Sequence, residues 1–179
     1  MKTRRGRLAS GRDDPDAVDA MRRLLKFLHT LGAIALMGGM ACVLVLQAWL
    51  PPPGQLANYT SLRGAMGTIA SWIALPGLAL TLVAGLLAMA ATRSYQNAGW
   101  ALVKLATGLA VFEGGFAGLV GPLQEEAERS AAALAGTGDA APLAQSVGAE
   151  TGTLWLLMAV AALNVALGVW RPRLSRRKE

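Results

Sequence analysis

The chain has 179 residues, of which 54% are apolar and only 16% charged, too few charges to clothe a soluble protein of this size. Its formal charge of +6 is carried at the ends: the first 26 and the last nine residues hold 13 of the 17 Lys and Arg. Basic tails beside long apolar runs pair with anionic lipid headgroups, so the pI of 10.2 does not point to nucleic acid.

Residues 1–22 carry Arg4, Arg5, Arg7 and Arg12, followed by Asp13, Asp14, Asp16 and Asp19. Nothing there can bury a face, and the segment is expected to be a disordered tail. A domain of four spans follows over residues 23–171, since about 20 apolar residues suffice to cross roughly 30 Å of hydrocarbon. The first span covers 24–50 and stops at Pro51-Pro52-Pro53-Gly54. The second covers 62–92 and is expected to kink at Pro76, where one backbone hydrogen bond is lost. The third covers 99–123. Beyond it, Glu125, Glu126 and Glu128 continue the helix as a solvated face until Gly136-Thr137-Gly138 breaks it. The fourth covers 153–170, ends at Arg171-Pro172, and leads into a basic tail over 172–179. No stretch alternates with a strand period. The fold class is therefore all-α: an integral membrane four-helix bundle with the lipid bilayer as its partner.

Orientation follows from the positive residues outside the spans. Fourteen lie in the two tails and the 2–3 loop, against Arg63 and Arg129 on the other side. Positive residues stay inside, which places both termini in the cytoplasm. Cys42 is the single cysteine, so no disulfide can form within the chain.

Ionisable groups in the spans cost about 2.5–3.5 kcal/mol near the bilayer centre, and each needs a reason. His29, Lys104 and Glu113 are the three. At about 100° per residue, His29 shares a face with Gly32, Leu36, Gly39, Met40 and Gln47 and should point into the bundle. Its imidazole either ligates haem iron or a metal, or bonds across the bundle to a carbonyl or hydroxyl. Lys104 shares a face with Gly108, Gly115 and Gly118 and lies on the same side of the midplane. Its amine either snorkels to the headgroups or completes a small cationic site with His29. Such a site suits a porphyrin, whose ring wants apolar walls and whose propionates want a cation. Glu113 sits near the midplane on the opposite side of the helix from Lys104. Its bland reading is a protonated carboxyl bonded to Asn164 or Thr81, its sharper one a proton relay. Gly114 and Gly118 form a small-xxx-small pair that predicts a homo-oligomer contact.

Lys26-Phe27-Leu28-His29 with Gly38-Gly39 resembles the first helix of HemJ-type protoporphyrinogen oxidases and of CopD-type copper-resistance proteins. Gly99-Trp100-Ala101-Leu102-Val103-Lys104 resembles the HemJ-type Gly-Trp-x-x-Val-Lys stretch, and Pro76 through Thr81 to Gly85 resembles that group's second helix. The resemblance covers about residues 24–110. It implies a site in the cytoplasmic leaflet that holds haem b or a related porphyrin, with His29 as axial ligand and Lys104 as propionate or substrate partner. The chain departs from that family in having Leu46-Gln47-Ala48-Trp49 where a Leu-Pro-Arg-like segment stands, and no second histidine.

Two other functions compete. The shortage of catalytic groups suits a non-enzymatic assembly or transport component. His29, Met37, Met40 and Cys42 are soft or borderline ligands suited to copper, but they cannot converge from one straight helix.

Overall fold

The computed structural model describes residues 15–91 and 99–170, and every regular element among them is helical. Helix α1 runs Pro15–Ala48. Proline's fixed φ suits a first turn, where its missing N–H has no helical partner in any case, and Asp16 lies favourably against the N-terminal dipole. Asp19 reaches Arg22 at 3.5 Å and its carbonyl accepts from Arg23 Nε at 3.4 Å. Residues 15–22, expected in the disordered tail, are therefore helical. The remainder of that tail, the basic tail 172–179 and the 2–3 loop at 92–98 lie outside the described residues.

The second rod consists of α2 (Leu56–Ile69), a π turn (Ala70–Ala74) and α3 (Leu75–Ala90). The third consists of α4 (Gly99–Gly115), a π turn (Phe116–Val120) and α5 (Gly121–Leu134). Helix α6, Val147–Trp170, is the fourth. Each π turn comes immediately before a helix with proline at its second residue, Pro76 and Pro122. A proline ring clashes with the carbonyl four residues back and offers it no donor. Widening the turn relieves the clash and lets the rod continue. The kink expected at Pro76 takes this form, and the third rod passes Pro122 to end at Leu134, with Gly136 at φ 74° beyond it.

All four rods are long and apolar enough to cross a membrane. Large apolar side chains face outward on every rod, among them Ile34, Trp72, Val83, Leu109, Phe116 and Leu156. Inside, Leu36, Met40, Met66, Leu78, Leu119 and Leu154 belong to one core. In water the outer surface would be a severe liability; in lipid it is the required one.

Close approach of α1 and α3 depends on two glycines. A Cβ on Gly32 would fall 2.5 Å from Thr81 Oγ1 and 2.7 Å from Gly77 O, and one on Gly77 would fall 2.8 Å from Leu36 N. Gly114 of α4 and Gly118 of the following π turn serve the same purpose against α6. Added Cβ atoms there would lie 3.1 Å from Leu157 Cδ2 and 3.5 Å from Thr153 Cγ2. The small-xxx-small pair thus packs against α6 within the chain.

Candidate functional site

Polar side chains gather at both ends of the bundle. At the end carrying the termini, His29 is half-buried on α1 and its ring lies over Gly85 of α3. Nδ1 donates to the Thr81 carbonyl at 2.8 Å. A carbonyl can only accept, so the proton is on Nδ1 and the lone pair is on Nε2, which makes no hydrogen bond among the described residues. Gly85 makes this possible, because a Cβ there would meet the ring at 3.2 Å. A carbonyl accepting from Nδ1 is the arrangement that fixes the tautomer of ligating histidines.

Lys104, half-buried on α4, lies along α6. Its Nζ is 2.6 Å from where a Cβ on Gly168 would stand. It is near enough to act electrostatically on the His29 imidazole. Asn164 of α6 fixes this part of α4, donating to the Lys104 carbonyl at 3.2 Å and to Thr107 Oγ1 at 3.1 Å. His29 and Lys104 thus rest on different neighbours, α3 and α6, within electrostatic reach. An apolar cavity of about 240 Å³ lies between α4 and α6, lined by Ala110, Gly114, Gly118, Thr153, Leu157 and Val160. Neither His29 nor Lys104 lines it.

Glu113 departs from expectation. It is exposed, and it bonds neither to Asn164 nor to Thr81, whose hydroxyl donates to the Gly77 carbonyl at 2.8 Å. Val111 and Gly115 face the bundle, and Glu113, two residues from each, is rotated about 200° from both. The copper set also disperses: Met40 is in the core, Cys42 is exposed, and His29 and Met37 are half-buried. Among the described residues no three His, Cys, Asp or Glu converge.

At the other end is a buried ionic network that sequence reasoning missed. Arg63 of α2 is fully buried, its Nη1 2.6 Å from Glu150 Oε2 on α6 and its Nε donating to the Tyr59 hydroxyl at 3.1 Å. Tyr59 in turn donates to Glu126 Oε1 on α5 at 2.7 Å, and the same oxygen accepts from the Ala144 N–H at 3.0 Å. Gln47 of α1 donates to Glu150 Oε2 and to the Val147 carbonyl, each at 3.2 Å. Arg63 and Arg129 balance the two glutamates, Arg129 reaching Glu126 at 3.9 Å from outside. All four rods are tied together by it. The expected solvated face is in fact split: Glu125 and Glu128 are exposed, Glu126 buried. The available signal was two unlike charges, Arg63 and Glu150, in positions where helices should start, with Tyr59 one turn before the arginine.

Comparison with protein-family models, with curated proteins and with solved structures returns no match.

Proposed function

We propose that this chain is a multi-pass protein of a bacterial inner membrane, both termini cytoplasmic, that holds haem b or a related porphyrin in its inner leaflet. The observation that carries the reading is the His29 imidazole, fixed through Nδ1 with Nε2 left for a ligand. One histidine and a nearby lysine would suit a porphyrin held through one ring nitrogen and one cation, whereas a bare metal ion would need donors that do not converge among the described residues. His29 would hold the iron, and Lys104 would neutralise a propionate. The bound group would supply one-electron chemistry. The chain's own part is to set the histidine tautomer, to provide apolar walls and to keep water away. The HemJ-like resemblance supports the same assignment.

The test is the visible spectrum of the purified protein after incubation with haem. A Soret band is expected, and His29→Ala should abolish it while helicity is kept. Absence of a band in the parent protein would overturn the proposal. One observation favours a second reading, a non-enzymatic assembly or transport component: the densest polar network joins helices and is closed to solvent.

A further inference from the structure

Glu113 sets up a problem that one chain leaves unsolved. The contacts of Gly114 with Leu157 and of Gly118 with Thr153 fix the register of α4 against α6. Glu113 is therefore level with the middle of α6, which runs Val147–Trp170, and so with the middle of the membrane. It is exposed there, with no hydrogen bond or ion pair among the described residues. A lipid chain offers a carboxyl nothing to bond.

The residues around Glu113 say what covers it. Val103, Ala106, Ala110, Glu113 and Ala117 are all exposed and follow one another at alternate steps of three and four. That spacing is a heptad seam, the pattern that puts one helix against another. Three of its members are alanines, which let backbones approach closely without displacing a side chain. The partner must also supply a hydrogen-bonding group at the level of Glu113. On the other rods, the exposed residues near that level are apolar, Ile34 on α1, Ala79 and Val83 on α3, Ala159 and Leu163 on α6, apart from Thr30 on α1, whose hydroxyl donates to the Lys26 carbonyl of its own helix. Among the described residues, the exposed side chain near that level whose polar group is not already bonded within its own helix is Glu113 itself. A two-fold axis along the membrane normal brings identical residues to identical depth and makes the seam its own complement.

We propose that a second copy of this chain packs on this face of α4, with the two Glu113 carboxyls hydrogen bonded to each other at the axis. Two carboxyls holding at least one proton between them make such a bond, and removal from water strengthens it. This dimer is independent of the porphyrin site, because His29 and Lys104 face the interior.

The experiment is disulfide crosslinking of the full chain in lipid nanodiscs or vesicles, in a Cys42→Ser background with Glu113 intact. Ala110→Cys and Ala117→Cys should each give a crosslinked dimer, and Val83→Cys, exposed on α3 and outside the seam, should not. Adding Glu113→Leu to the Ala110→Cys chain should weaken association about three- to twentyfold, the range of interhelical hydrogen bonds in membranes. Adding Glu113→Gln should retain it, since paired amides bond in the same way. Circular dichroism of each variant separates lost association from lost fold. The proposal fails if Ala110→Cys crosslinks no better than Val83→Cys, if it captures a different protein, or if Glu113→Leu leaves the dimer at its original strength.

Discussion

A histidine donates to a main-chain carbonyl in this fold because a glycine stands one turn along. Thr81 O is within reach of His29 because Gly85 has no side chain to cover it. Gly85→Ala should press the ring by a few tenths of an ångström, and Gly85→Val should turn it away. The expected outcome is a graded loss of the Soret band, alanine weaker than the parent and valine without it, measured by haem titration at constant helicity. Lys104→Met should leave the band in place and weaken haem binding, because it removes a propionate partner and not the ligand. If Lys104→Met matched His29→Ala, the assignment of roles would be wrong. Gly168 is a milder case than Gly85. The atom its Cβ would meet is the tip of the flexible Lys104 side chain, which can swing aside.

Pairs of elements are held by two different means along their length. Near the termini and the centre, α1 and α3 touch backbone to backbone, with Gly32 and Gly77 facing each other's rods. Gly32→Ala puts a methyl group onto main-chain atoms that cannot move alone, so it should destabilise by about 1–3 kcal/mol, the usual cost of overpacking. Gly38→Ala is the matched control, because a Cβ there meets nothing within 4 Å. It should be neutral or slightly stabilising in a thermal melt. At the other end the rods are joined by charge. Removing one partner of a buried pair leaves the other uncompensated, so Arg63→Met or Glu150→Leu alone should each cost about 3–5 kcal/mol. The double substitution should recover much of that loss, since apolar groups of similar volume replace such pairs at little cost. Thermal melts of the two singles and the double in one detergent test this; additive losses would mean the two residues act separately.

For the molecule as a whole, four antiparallel rods put Pro15 and Trp170 at one end, which the proposed topology makes the cytoplasmic one. Reporter fusions after Gly54 and after Thr137 should read as external, and one after Gln96 as cytoplasmic. An external reading at Gln96 would invert the proposed topology and move the His29 site to the outer leaflet.

The sequence by itself determined four apolar rods, an all-helical fold and the identity of the odd polar residues inside it. Span length, hydropathy and charge asymmetry are local properties that need no partner to be read. Rod limits were less legible. The second rod starts at Leu56, the third passes Pro122 and the fourth starts at Val147, because their ends lie at the bundle's edge, where pairing decides whether a turn forms. Only the tertiary structure decided which side chains meet. It paired His29 with a Thr81 carbonyl, whose availability no side-chain pattern encodes, and turned Glu113 outward because Val111 and Gly115 claim the inward face. It also buried Arg63, Glu126 and Glu150 together, although each reads as an ordinary surface charge on its own helix. Burial is a property of the neighbours a helix acquires. Three charges at sequence positions 63, 126 and 150 become one network only when the four rods close around them.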